Sequence, residues 1–300
     1  MKVMVTGGCG FIGKHLVKSL ASDYEVLVID NLSRGDKKYI ENIEENVKLF
    51  VGDIRNEQTV RKVINDCEFV FHLAAQVIPE ISVSNPLEDA STNILGTLNI
   101  LQNAKNCERI IIFSSAAVYG DAMWLPINEE HPKNPVNMYG VSKLASEMYA
   151  NVFHKIFGVT IVIFRVFNVY GKYEKIDPYS SVISKFLNNL KTGRELEIFG
   201  DGNQTRDFIH VKDIVNASIL ALEKEKPIGQ ILNLATGVET SINQLVKIIK
   251  EKSEKEVGIK YTRPRKWEPR RSVANISRLK NILGYCPKIK LLEGLTELLK

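Results

Sequence analysis

The sequence predicts a doubly wound α/β protein: a parallel sheet with helices on both faces, joined to a second, smaller α/β domain. Three observations predict it. Short β-branched apolar runs alternate with longer helical stretches through the first half, the first run leads straight into a glycine cluster, and the rhythm changes after about Phe167. Continuous apolar strands separated by crossover-length segments require a sheet buried on both faces. The 300 residues, 44% apolar and 25% charged, supply a core of that size and exclude a fibrous or disordered chain.

The first strand, Lys2 to Thr6, runs into Gly7-Gly8-Cys9-Gly10-Phe11-Ile12-Gly13 and then into the helical pattern His15 to Leu20. Glycines are needed where strand turns sharply into helix and where backbone approaches a pyrophosphate, and the helix N-terminus behind them is an anion site. The second strand, Glu25 to Asp30, ends on an acid seventeen positions after Gly13, close to the spacing of a ribose-binding carboxylate. Together these predict a Rossmann dinucleotide site. Asp30 would accept from the adenosine ribose hydroxyls and repel a 2′-phosphate, which favours NAD over NADP, although Arg34 lies nearby. After the third strand, Val47 to Val51, Asp53 in Gly52-Asp53-Ile54-Arg55 is placed to hold the adenine amino group or to cap the next helix.

The fourth strand spans Phe69 to Ala74 and the fifth Arg109 to Ser114, where Ser114-Ser115-Ala116-Ala117 follows at a carboxyl strand end, the ligand edge of such sheets. Tyr139 and Lys143 then stand at i and i+4 of a long helical pattern, on one face. A neighbouring ammonium favours a phenolate, so the pair suits proton transfer, and Ser115 completes a Ser/Tyr/Lys set. The sixth strand, Val159 to Phe167, closes the first domain, taken as residues 1–168; residues 169–300 form the second, with a segment near 205–236, including a strand over Ile231 to Leu234, returning to the first.

Several classes are excluded or disfavoured. The net charge of +5 decides nothing alone, no run reaches the roughly 18 apolar residues of a membrane span, and no secretory pattern is seen, so a cytoplasmic protein without a membrane or nucleic-acid partner is expected. Cys9, Cys67, Cys107 and Cys286 are scattered and expected to be reduced; with the five histidines equally dispersed, no metal is predicted. The Asn203 and Asn275 glycosylation triplets carry no meaning without a signal peptide. A basic stretch, Lys260, Arg263, Arg265, Lys266, Arg270 and Arg271, is opposed locally only by Glu268 and could be a solvated face.

The chain resembles the extended short-chain dehydrogenase/reductase family through Thr6 to Gly13, Asp30-Asn31-Leu32, Gly52 to Arg55, His72-Leu73-Ala74-Ala75, Asn93, Ser114-Ser115, Tyr139 with Lys143, Arg165 to Gly171, Arg206 to Val211 and Asn233-Leu234-Ala235. Within it the sequence is most similar to the nucleotide-sugar 4-epimerases typified by UDP-glucose 4-epimerase. The resemblance implies a cofactor site of Gly7, Gly10, Phe11, Ile12, Gly13, Asp30, Asn31, Asp53, Ile54, Leu73, Ala74, Ala75, Asn93, Tyr139, Lys143 and Phe167. It implies a UDP-sugar site of Ser115, Tyr139, Asn168, Arg206, Arg265 and Glu268, with Arg270 or Arg271 as substitutes for Arg265, and Ser272 beside the sugar C2. Related 4,6-dehydratases and decarboxylases carry acids after the hydroxyl residue; Ala116 and Ala117 cannot transfer protons, so those reactions are disfavoured.

The implied chemistry is oxidation of the sugar 4-hydroxyl by Tyr139, Ser115 and bound NAD, rotation of the 4-keto sugar, and re-reduction on its other face. A homodimer is implied through the Tyr139-bearing helix. A UDP-glucuronate 4-epimerase or a nucleotide-sugar 4-reductase is the alternative, the reductase distinguished by releasing its cofactor. A non-catalytic NAD-responsive or RNA-binding protein is the distant one, disfavoured because Tyr139 and Lys143 are both kept and no aromatic RNA-binding strand accompanies the basic stretch.

Overall fold

A computed structural model describes residues 1–300 apart from 41, 42, 44, 175, 178, 179, 254 and 266. The strands are β1 (Lys2–Thr6), β2 (Glu25–Asp30), β3 (Val47–Val51), β4 (Phe69–His72), β5 (Arg109–Ser115), β6 (Ile161–Val166), β7 (Asn168–Tyr170), β8 (Leu196–Phe199), β9 (Thr205–His210), β10 (Ile231–Leu234), β11 (Glu239–Ser241) and β12 (Ile259–Thr262). The helices are α1 (Phe11–Leu20), α2 (Glu57–Ile64), α3 (Pro79–Ser84), α4 (Pro86–Ala90), α5 (Gly96–Asn103), α6 (Met138–Phe157), α7 (Val182–Thr192), α8 (Val211–Glu223), α9 (Ile242–Ser253) and α10 (Leu291–Leu299).

Seven strands form one sheet in the order β10-β6-β5-β4-β1-β2-β3, every pairing parallel. Parallel pairing forces helical crossovers, and their apolar faces supply the two layers that bury the sheet. On one face Leu16 and Val17 of α1 and Ile214 and Leu222 of α8 pack on Val3, Val5 and Phe71. On the other, Val60 and Val63 of α2, Ile100 of α5 and Ala150 of α6 pack on Met4, Val70 and Ile112. The strand at Ile231–Leu234 is part of this sheet, paired with β6 at its edge.

Two predicted strands are longer than the observed ones. β4 ends at His72: the Leu73 amide is shared between Thr6 O and Thr6 Oγ1, both at 3.2 Å, and the Ala74 amide turns to Thr6 Oγ1 at 3.1 Å. β6 starts at Ile161 after Gly158 has capped α6 in the left-handed conformation, the usual glycine stop of a helix.

Beyond the large sheet, β11-β9-β7 and β12-β8 form two small sheets. A third core lies over them, with Phe186 and Leu190 of α7, Ile198 of β8, Leu245 and Ile249 of α9 and Leu295 of α10. No helix among the described residues is long and apolar enough to cross a membrane, and no three of their His, Cys, Asp or Glu side chains are grouped to hold a metal.

Candidate active site

The glycine loop shows directly why glycine is required. Gly7 has φ +70°, and a Cβ there would lie 2.8 Å from the Ala74 nitrogen; a Cβ on Gly13 would lie 2.1 Å from the Gly7 oxygen. The loop therefore folds back on itself and on the end of β4 with no room for side chains. Gly10 caps α1 without any side-chain acceptor, and no acid stands in the first helical turn. The first-turn N–H groups of Phe11, Ile12 and Gly13 are thus left for an external anion, as a dinucleotide pyrophosphate needs.

Asp30 is buried at the end of β2. Its carboxylate accepts from Cys9 N at 2.9 Å and Leu32 N at 2.8 Å, joining the glycine loop to the ribose-side loop. Burial pushes its pKa up against those two hydrogen bonds. Arg34 lies 2.9 Å from Asp177 and is thereby engaged away from a 2′-phosphate. Asp53 accepts from Asn31 at 3.0 Å and from Arg55, which holds its carboxyl down to about 2. It does not cap α2; Asn56 does, accepting from Thr59 N at 3.0 Å. The donor and acceptor set fits NAD: an anion-binding helix start, an acid at the ribose position and a glycine cradle closed against Ala74.

Ser115 ends β5 and caps the 3₁₀ turn Ala116–Val118, its hydroxyl accepting from Ala117 N at 3.1 Å. Asn137 caps α6 by accepting from Gly140 N at 2.9 Å. A Cβ on Gly140 would lie 2.5 Å from the Ala117 oxygen, so only glycine lets α6 start against that turn. This contact places Tyr139 beside Ser115, whose hydroxyl hydrogen-bonds the phenol. From the opposite side, Ser82 of α3 accepts from the Tyr139 amide at 3.0 Å.

Burial dominates the electrostatics. It pushes the Tyr139 phenol up to about 12, with Asp89 adding to the rise and the Ser115 hydrogen bond opposing it. It lowers Lys143 to about 8, with Glu147 and Asp89 holding the ammonium from falling further. The lowering of Tyr139 by Lys143 that the i, i+4 spacing predicts is not what sets the phenol in the protein alone, where burial dominates and Asp89 adds to the rise.

Behind the pair lies a buried polar network. Glu147 accepts from Arg165 at 2.7 Å and from Ser114; Arg165 also donates to Tyr119 at 3.0 Å and to the Glu129 carbonyl at 3.0 Å; Tyr119 donates to Asn233 at 2.6 Å. Both charged side chains are 2% exposed.

The substrate-side residues gather in a second cluster. Arg206 of β9 is 3.2 Å from Glu268. Arg265 is 2.7 Å from Glu268 and 2.9 Å from Glu80 of α3, with its guanidinium 3.9 Å above the Phe199 ring. Lys185 of α7 is close enough to be depressed by Arg265 and raised by Glu80 and Glu268, burial being the largest effect on it. Asn168 is half-buried on β7, donating to the Asp207 carbonyl at 3.4 Å.

The chain matches, over residues 4–298, the family model described as GDP-mannose 4,6-dehydratase. The chain belongs to this family of extended short-chain dehydrogenase/reductases. It is 39% identical over 302 residues to a Methanocaldococcus jannaschii protein provisionally named UDP-glucose 4-epimerase, covering 98% of this chain and 95% of that one. The crystal structure of a Thermotoga maritima UDP-glucose 4-epimerase with UDP-glucose superposes with a TM-score of 0.95 at 36% identity, over 100% of this chain and 97% of the other. A Bacillus cereus UDP-glucuronic acid 4-epimerase with UDP-glucuronic acid and NAD gives 0.93 at 29% identity, over 100% and 99%.

For this short-chain dehydrogenase/reductase, the structure separates the sequence-derived site residues into groups. Gly7, Gly10, Gly13, Leu73 and Ala74 meet at the cradle, with Asp30 tied to the same loop and Asn31 to Asp53; Ser115 adjoins Tyr139, and Asp89 acts on both Tyr139 and Lys143. Arg206, Arg265 and Glu268 form one ion-pair cluster. Three residues face the protein interior instead. Asn93 is buried with its amide on Gln76, Asp89 and Ser142; Ile54 is buried against Gly96; Phe167 lies in the core beside Tyr119. Asn93 braces the site by hydrogen bonds, and the Ile54 and Phe167 side chains by packing.

The basic stretch is solvated at Lys260, Arg263, Arg270 and Arg271, and several of its arginines are paired. Arg270 pairs with Asp201 and Arg271 with Glu239, both at 2.7 Å, so neither replaces Arg265 in the cluster. The acids opposing these arginines are brought from distant sequence; Lys266 lies outside the described residues. Sequence reasoning missed Glu80, Ser82, Asp89, Glu147 and Lys185. The Asn85-Pro86 stop after α3 was the one local signal that a short element there presents Glu80 and Ser82.

Proposed function

We propose that the protein is an NAD-dependent 4-epimerase of a UDP-hexose, interconverting UDP-glucose and UDP-galactose, and that buried Ser272 leaves room for the N-acetylated pair. The observation that carries this reading is the Ser115–Tyr139–Lys143 set beside a dinucleotide cradle, at a turn whose next two residues, Ala116 and Ala117, transfer no proton. NAD bound in the cradle supplies hydride acceptance and return at the sugar C4. Tyr139 takes the 4-hydroxyl proton and gives it back after the sugar has turned; because the hydride is returned to the same carbon, no net redox change results. Ser115, with one lone pair taken by Ala117 N, has its second lone pair for the Tyr139 phenol and its O–H for the reacting oxygen. Tyr139 accepts the 4-hydroxyl proton as the phenolate, the form that the Lys143 ammonium favours. Residues 1–168 carry the cofactor side and 169–300 most of the nucleotide side.

Arg206 and Arg265 anchor the diphosphate while the sugar rotates, because guanidinium forks match phosphate oxygens bidentately. A homodimer forms through α6, where Val141, Met148, Tyr149, Val152 and Ile156 expose an apolar stripe in the single chain. Ile156→Glu should convert dimer to monomer in light scattering; an unchanged mass would exclude that face.

The functional test incubates purified protein with UDP-galactose, UDP-N-acetylgalactosamine or UDP-galacturonate and no added cofactor, separating products by chromatography. Conversion of a hexose substrate, lost in Tyr139→Phe, supports the reading. Conversion of the galacturonate alone, or turnover only with added oxidant, overturns it.

A further inference from the structure

We propose that Cys67 and Cys107 form a redox-sensitive dithiol, a modification site at which a small-molecule disulfide closes an intramolecular bridge between the starts of β4 and β5. The two residues are forty positions apart in sequence but adjacent in space. β4 and β5 pair in parallel from Phe69↔Arg109 to His72↔Ile112, so the same offset sets Cys67 opposite Cys107. Each arrives from a helix end in the same way, Cys67 N donating to Ile64 O at 3.0 Å and Cys107 N to Ala104 O at 3.1 Å. One residue on, Glu108 N donates to Glu68 O at 2.7 Å, keeping the chains side by side up to the cysteines.

Neighbouring strands lie about 4.8 Å apart, and a disulfide spans Cα atoms about 4.4–6.8 Å apart. Both side chains belong to the same apolar layer, with Val70 and Ile110. Both lie at its rim: they are 7% and 8% exposed, directly after the exposed turn residues Asp66 and Asn106. Cys9 lies in the opposite layer and Cys286 is exposed elsewhere, so this is the one cysteine pair set in register. Burial pushes the thiols up, to about 12 for Cys67 and about 11 for Cys107, which makes thiolate scarce at neutral pH and the reaction faster as pH rises.

The step is thiol–disulfide exchange. One thiolate attacks the small-molecule disulfide, forming a mixed disulfide and releasing one small thiol. The second thiolate attacks the protein sulfur of that mixed disulfide, the protein S–S bond forms, and the second small thiol leaves. The two protein thiols lose two electrons; the oxidant gains them and takes up the two protons. The bridge closes the loop carrying α3, α4 and α5 at the amino-terminal edge of the sheet, away from Ser115 at the carboxyl end of β5.

The test uses the full chain carrying Cys286→Ser, exposed to excess oxidised glutathione at mildly alkaline pH and then digested. The expected result is a cross-linked peptide joining residues 67 and 107, lighter than its parts by two hydrogens. A melting temperature raised by several degrees and unchanged turnover should accompany it. Adding Cys67→Ser should remove the cross-link and the thermal gain, leaving a glutathione adduct at Cys107. Separate adducts on both cysteines, cross-links between chains, or reaction only after unfolding would overturn the proposal. If Cys67→Ser fails to fold, the peptide map of the parent protein decides alone.

Discussion

Glu80→Gln should tighten substrate binding. Arg265 stands between two carboxylates, both on Nη1, 2.9 Å from Glu80 and 2.7 Å from Glu268, and a diphosphate reaching it competes with them for the guanidinium charge. The Arg265 and Glu80 side chains are 23% and 30% exposed, so solvent screens their attraction; pairs of this kind contribute about 0.2–1 kcal/mol. Removing the Glu80 charge then returns up to about 1 kcal/mol to the substrate, roughly fivefold in an equilibrium constant. Initial-rate kinetics should show KM lowered by up to about fivefold with kcat unchanged, the signature of altered uniform binding. The gain should shrink with added salt. A raised KM would mean that Glu80 holds the substrate, and a lowered kcat that it acts on the reacting centre; either result refutes the competition.

Gly13→Ala places a methyl 2.1 Å from the Gly7 oxygen, whereas Gly10→Ala meets that oxygen at 3.1 Å. The first should therefore purify without nicotinamide absorbance and the second should retain part of it. Burial lowers His72 to about 3, with Lys143 adding to the fall. Between pH 6.5 and 3 the unfolded chain therefore binds a proton that the folded chain does not. His72 thus makes stability fall as pH drops below 6.5, by at most about 1.4 kcal/mol per pH unit. His72→Gln should flatten the melting-temperature curve between pH 6.5 and 5, and an unchanged slope would count against a neutral buried imidazole. Glu147→Gln strips Arg165 of its buried partner and should cost about 3–5 kcal/mol in urea unfolding; a loss under about 1 kcal/mol would show that Arg165 is solvated.

What was legible in the sequence is what local backbone geometry or short-range spacing dictates. Gly7, Gly10 and Gly13 are fixed by sterics within one turn, Asp30 by its place at a strand end, and Tyr139 with Lys143 by one helical turn. Pairings across the fold were not legible, because nothing near Arg265 in sequence announces Glu80, nor does anything near Arg165 announce Glu147. Asn93 shows the reverse case. Its motif position suggests the cofactor, yet the π-helical turn Ser91–Leu95 points it inward to tie Gln76 to α6 through Ser142. The β4 boundary was missed for a similar reason, since the Thr6 hydroxyl, from another strand, takes the Ala74 amide. The partners of Arg270 and Arg271 in the basic stretch were illegible because those acids, Asp201 and Glu239, are supplied by other elements.

The most direct measurement of the central claim follows the hydrogen at C4. Purified protein, with no cofactor added, is given UDP-galactose deuterated at C4 and the product is analysed by NMR and mass spectrometry. Oxidation and re-reduction at one carbon by a retained nicotinamide predicts UDP-glucose that keeps the deuterium at C4. Deuterium lost to solvent, or conversion only when NAD is supplied stoichiometrically, would contradict it.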